Sequence, residues 1–197
     1  MAPVVPNPKK IRAFPSEAAF EKWLSTHHAS ETELWIKFHK KGSGLKTIVY
    51  KEALDVALCW GWIDGIVKKF DEQSYLQRFT PRKAKSVWSQ INRTNIARLI
   101  DAGRMTPHGL AHVEAAKADG RWENAYAPIR EASVESMPED LMAAIRANKK
   151  ALKTLGTLNR MNLFAMAYRV NSLKTPAGRA RKIAAMVATL AEGKSVV

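Results

Sequence analysis

The chain has 197 residues, room for one ordinary domain or for a domain with a smaller helical unit. Hydrophobic residues make up 46% and the formal net charge is +14, which excludes a disordered chain and favours encounter with anions: nucleic acid, phosphorylated metabolites or anionic lipid. Prolines interrupt the N-terminus, no run reaches the ~18 apolar residues of a membrane span, and Cys59 is the lone cysteine, so the expected compartment is the cytoplasm.

Residues 1–13 read as a flexible arm, because their prolines leave no regular period. Ser16 is positioned to cap a first helix, with Phe20, Trp23, Leu24 and His27 at helical spacing. Leu34, Ile36 and Phe38 alternate with Glu33, Trp35, Lys37 and His39, the pattern of a strand. Lys40-Lys41-Gly42-Ser43-Gly44 is a basic, glycine-rich loop. A helix from about Tyr50 to Trp60 then turns Ala53, Leu54, Ala57 and Leu58 inward and stops at Gly61. Ile66–Phe70 and Tyr75–Thr80, separated by Asp71-Glu72-Gln73-Ser74, predict an antiparallel hairpin that Pro81 closes. Ser86 is the expected cap of a helix to about Ala102, with Trp88, Ile91, Ile96, Leu99 and Ile100 on its apolar side. Thr106-Pro107 opens another helix, to about Asp119.

Residues 123–137 have little periodicity and read as a linker. Beyond it, Pro138 opens a helix carrying Leu141, Ala144, Ile145 and Leu152, a second covers Leu163–Tyr168, and a last one starts at Thr175-Pro176 with Ile183, Met186, Val187 and Leu190 inward. The expected fold is therefore α+β: a small antiparallel sheet packed with several helices over 14–122, followed by a C-terminal helical unit over 138–197.

The densest motifs are Ala57-Leu-Cys-Trp-Gly-Trp-Ile-Asp-Gly65 and Arg78-Phe-Thr-Pro-Arg-Lys-Ala-Lys-Ser-Val-Trp-Ser-Gln-Ile-Asn92. Together with Ala116-Lys-Ala-Asp-Gly-Arg-Trp122 and Lys174-Thr-Pro-Ala-Gly-Arg-Ala-Arg-Lys-Ile183, they resemble the YdeI/OmpD-associated family, also described with bacteriocin protection. In the tail that family's pattern places Glu-Thr before the arginine, where this chain has Ala177-Gly178. The resemblance implies a link to antimicrobial or stress resistance and names no reaction.

Trp62, Asp64, Arg78, Arg82, Ser86, Trp88 and Asn92 form the candidate ligand site, a mixture of aromatic, acidic and basic groups suited to a small polar anion. Asp64 reads either as a general base or guanidinium anchor, or as a turn aspartate accepting backbone N–H bonds. Arg78 and Arg82 read either as an anion clamp beside the following helix start, or as partners of Asp64. Trp62 and Trp88 read as pocket walls or as core. Cys59 lies on an apolar helix face with no histidine near in sequence, which favours a structural thiol. His108 and His112 share a helix face, but Gly109 stands where a zinc-protease motif has glutamate and no third ligand is evident, so no metal and no cofactor is expected. The competing reading is non-specific nucleic-acid binding through tail basics Lys149, Lys150, Lys153, Arg160, Arg169, Lys174, Arg179, Arg181 and Lys182.

Overall fold

Six alternating residues and one hairpin build the sheet of the N-terminal unit. In the computed structural model, which describes residues 4–196, the chain divides into two compact units between Ala125 and Tyr126. The first is α+β, with strands β1 (Ile11–Arg12), β2 (Leu34–His39), β3 (Trp62–Lys69) and β4 (Ser74–Pro81) in the order β1-β2-β4-β3. Leu34, Ile36 and Phe38 sit opposite Phe79, Gln77 and Tyr75 on one face. That face packs on Phe20 and Leu24 of α1 (Glu17–His27) and on Ala53, Val56 and Ala57 of α2 (Tyr50–Cys59). Ser16 caps α1 by accepting the Ala19 N–H.

The sheet is mixed rather than purely antiparallel. Ile11 and Arg12, expected within a flexible arm, pair in parallel with Trp35 and Ile36; residues 1–3 of that arm lie outside the described residues. Trp35 is completely buried, although it occupies the face that alternation assigns to polar groups. The hairpin also begins earlier than its apolar runs suggest. Gly61 adopts φ 73°, a left-handed turn that lets Trp62 enter β3 directly after the helix. Asp64 therefore lies inside a strand, opposite Phe79, and not in a turn. Just beyond it the register shifts between Asp64 and Val67, and the buried Gln77 amide donates to the freed Gly65 carbonyl at 2.7 Å.

The rest of this unit packs on the second side of α2. Helix α3 (Gln90–Asp101) buries Ile96 and Leu99, and α4 (Pro107–Ala118) buries Val113 and Ala116, against Leu54, Leu58, Cys59 and Trp88. Ile91 and Ile100, expected on the apolar side of α3, are exposed. The α3 cap is Ser89, which accepts the Asn92 N–H at 3.1 Å; Ser86 instead accepts the Lys83 N–H and closes a turn before the helix. Asp55, itself buried, receives Arg98 at 2.6 Å and ties α2 to α3.

The C-terminal unit holds α5 (Glu139–Arg146), α6 (Lys149–Leu155), α7 (Arg160–Asn171) and α8 (Pro176–Ala191). Its core is Leu141, Met142, Ile145, Ala151, Leu155, Leu163, Met166, Val170, Ile183, Met186 and Leu190. The helix expected from Pro138 through Leu152 breaks in two. Asn148 accepts the N–H groups of Lys150 and Ala151 and starts a new helix, so Ala151 is buried and Leu152 is exposed. Arg179 of α8 grips Asp140 of α5 through two bonds, 2.5 and 2.8 Å, and donates a third to the Val170 carbonyl at the end of α7.

Two outcomes test this packing. A Cβ built on Gly109 lies 2.3 Å from the Cys59 carbonyl oxygen and 2.8 Å from that of Leu58, both backbone atoms. Gly109→Ala is expected to destabilise the protein by about 1–3 kcal/mol in urea unfolding, although alanine is the better helix former. The hydrogen bond from Arg179 holds the Asp140 carboxyl below its ordinary value. Its stabilisation is present above the unfolded carboxylate pKa of ~3.9 and is lost as pH falls through the lower folded value. Asp140→Asn should cost about 1 kcal/mol or less at neutral pH, since the pair is partly exposed. The variant's helical circular dichroism should also show a shallower loss of stability below pH 4.

Candidate functional site

The seven candidate residues occupy four environments. Trp62 is core: it is 1% exposed, lies edge-on to Trp23, and donates its indole N–H to the His28 carbonyl at 3.2 Å. Asp64 accepts the Tyr50 hydroxyl at 2.8 Å, joining the edge strand to the start of α2. Burial, followed by the charge and hydrogen bond of Asp64, pushes the Tyr50 phenol well above its ordinary value. Arg78 is bound to Glu33 through Nε at 2.8 Å and Nη2 at 2.7 Å. Neither Tyr50 nor Glu33 was singled out from sequence as a partner; Glu33 is 45 residues from its arginine.

The other four surround the segment between Pro81 and α3. The Arg82 N–H donates to the Gly61 carbonyl at 2.9 Å, which anchors the segment to the end of α2. The Arg82 side chain is only 6% exposed; its guanidinium lies 3.6 Å over the Trp88 ring and donates to the Val87 carbonyl at 2.7 Å. Trp88 is 2% exposed and meets Trp122 edge to face at 5.0 Å, with Arg93 over the far ring at 5.4 Å. Ser86 supplies the turn described above, and its carbonyl accepts Arg121 at 2.8 Å. Asn92 sits in the first turn of α3. The result is a ladder of Arg82, Trp88, Trp122 and Arg93, with Arg121 beside it.

Arg93, Arg121 and Trp122 were absent from the sequence-derived site. The signal for Arg121 and Trp122 was present in the motif ending Gly120-Arg121-Trp122, where a positive-φ glycine turns the chain back after α4. Burial, then the charges of Arg82 and Arg121, hold His112 below the ordinary imidazole value, so the fields of these arginines meet at α4. His112 packs under Gly61, whereas His108 lies against His28 at 4.0 Å and Trp60 at 5.7 Å. Among the described residues no three histidine, cysteine or acidic side chains converge as metal ligands. Chemically, the ladder offers donors and the charge of Arg93, whereas Arg121 is paired with Asp119 at 2.7 Å.

Residues 12–112, half of the chain, match the family model of a domain of unknown function, DUF8412, and the chain belongs to that family. Residues 136–193 match a second model, described as bacteriocin-protection, YdeI or OmpD-associated. The YdeI/OmpD-associated resemblance read from the motifs is thus matched over the C-terminal unit, while the tryptophan and arginine motifs fall within the first match. No curated protein and no solved structure is detectably similar to the chain. Among the described residues no helix is long and apolar enough to cross a membrane.

Cys59, beside this cluster, is buried, and burial pushes its thiol up to about 11. Native protein at pH 8 should therefore react with a thiol-labelling disulfide at least about 100-fold more slowly than urea-unfolded protein. Equal rates would show an accessible thiolate.

Proposed function

We propose that the N-terminal unit binds a small anionic ligand at the arginine–tryptophan ladder, with Arg93, Lys83 and Lys85 as its charged rim; Arg121 beside it is held by Asp119 at 2.7 Å. The observation that carries this reading is the Trp88 indole N–H. It is buried, it has no hydrogen-bond acceptor among the described residues, and it stands in a cluster dominated by arginine. A buried donor without a partner costs free energy that an acceptor would recover. The rim supports the same reading. Among the described residues Arg93 meets Trp122 but no carboxylate, and Lys83 and Lys85 are exposed without an ion pair. The Ser89-capped end of α3 adds the partial positive charge of a helix N-terminus. Of the original seven residues, Arg82, Ser86, Trp88 and Asn92 belong to this site; Trp62, Asp64 and Arg78 support the sheet.

The description of the family matched by the C-terminal unit suggests antimicrobial or stress resistance. Such a role fits an anionic ligand better than capture of cationic toxins, which a +14 chain repels at long range.

Thermal shift and calorimetry with inorganic pyrophosphate at low ionic strength test the proposal, with chloride at matched ionic strength as control. Wild-type protein should be stabilised by pyrophosphate. Arg93→Ala combined with Lys85→Ala should weaken binding at least about tenfold, as expected for lost charge-assisted bonds, and leave the unliganded melting temperature nearly unchanged. An undiminished shift in the double variant counts against the site.

A further inference from the structure

We infer that the C-terminal unit binds the phosphate backbone of nucleic acid through the exposed faces of α6 and α8. From Tyr126 to Val197 the sequence holds twelve Lys and Arg against five Asp and Glu. The carboxylates are already engaged inside the unit: Asp140 by Arg179, Glu139 by Arg146, Glu131 by Arg130, Glu192 by Lys194, and Glu135 by the Ser133 turn. Arg169 is also engaged, donating to the Val196 carbonyl. Lys149, Lys150, Lys153, Arg160, Lys174 and Arg181 are exposed and have no carboxylate partner among the described residues.

Helical geometry groups these charges. Ala151 and Leu155 turn α6 toward the core, which leaves Lys149 and Lys153, four apart, on its outer side. Ile183, Met186 and Leu190 do the same for α8, leaving Arg181 outward. The two helices pack against each other, so both outer faces belong to one side-by-side pair. In addition, α7 opens on Arg160, at a helix end that favours negative charge. A bound polyanion relieves that repulsion.

The same faces fit nucleic acid better than an anionic bilayer. An interfacial helix presents large apolar side chains to the membrane. Next to Arg181, the exposed side of α8 carries Ala184, Ala185 and Ala188, Ile183, Met186 and Leu190 are buried, and Val187 is partly buried. The exposed Leu152, Met161 and Leu173 are spread over three segments and form no row along one helix. Without a groove-reading motif, affinity should depend strongly on salt and little on sequence.

Fluorescence anisotropy of the full chain with a labelled 20-base-pair DNA duplex, from 50 to 300 mM salt, tests this. Binding should weaken linearly on a log–log salt plot. The combined Lys149→Glu, Lys153→Glu and Arg181→Glu variant should bind at least tenfold more weakly at 50 mM salt, with a slope shallower by roughly 2.7, three contacts at ~0.9 each. The corresponding glutamine variant serves if the charge reversals lower helical content. The Arg93→Ala/Lys85→Ala protein should keep the wild-type slope, which separates this surface from the ladder. No wild-type binding at 50 mM salt overturns the inference, as does binding that survives both tail variants. Binding to phosphatidylserine vesicles with none to DNA overturns it in favour of a membrane surface.

Discussion

The C-terminal end of α2 is the constraint on which the N-terminal unit depends. The Cys59 carbonyl accepts both the Thr106 hydroxyl at 2.6 Å and the Thr106 N–H at 3.2 Å. One oxygen therefore closes α2 and fixes the start of α4. Contact that close leaves no space for a side chain at position 109, and glycine is there. Two residues later Gly61 makes the left-handed turn into β3, with His112 of α4 packed where a Cβ would project. The Gly61 carbonyl then receives the Arg82 N–H and sets where the segment before α3 begins. Helix, sheet and ladder are registered against each other by atoms of three consecutive residues, Cys59 to Gly61.

This arrangement explains how a buried arginine is tolerated. Removing a guanidinium from water is costly unless its charge is compensated. Arg82 is compensated by the face of Trp88 and the Val87 carbonyl, in addition to its backbone tie. Burial, followed by the charges of Arg82 and Arg121, holds the neighbouring His112 imidazole below its ordinary value. Arg78 is held in another way within the same unit. Glu33 neutralises it on the sheet, and the pair has no charge left to offer a ligand. Two arginines four residues apart thus lie in different surroundings, one over a tryptophan face and one against a glutamate.

Local rules carried the sequence reading wherever a single neighbour decides the outcome. The caps Ser16 and Thr106, a strand at β2, the hairpin and the inward residues of α2 depend on spacing alone, and all appear in the fold. Choices between similar neighbours were harder. Ser86 and Ser89 are equally good capping residues, and Trp88 favoured the earlier one by seeming to need a place on the helix; burial against Arg82 and Trp122 meets that need from the loop. The break at Asn148 was hidden for a similar reason, since Ile145 and Leu152 are spaced for one continuous helix. Partners distant in sequence gave no signal. Nothing along the chain links Arg78 to Glu33, Asp64 to Tyr50, or Trp88 to Trp122, and the seven-residue site therefore divided once the topology placed those partners.

The tail shows how a motif can lose a residue and keep its physics. The family pattern has an acidic residue close before the arginine, and this chain has Ala177-Gly178. Arg179 nevertheless has a carboxylate, supplied by Asp140 from α5, and it also satisfies the Val170 carbonyl that ends α7. One guanidinium therefore joins three helices. The exchange has a second effect. Without a glutamate in its first turn, α8 contributes no negative charge near Arg181. Asp140 is occupied by its partner, so the exposed cations of the unit keep their field. Holding the helices together through one well-placed pair leaves the rest of the surface charged, and that residual charge favours a polyanion.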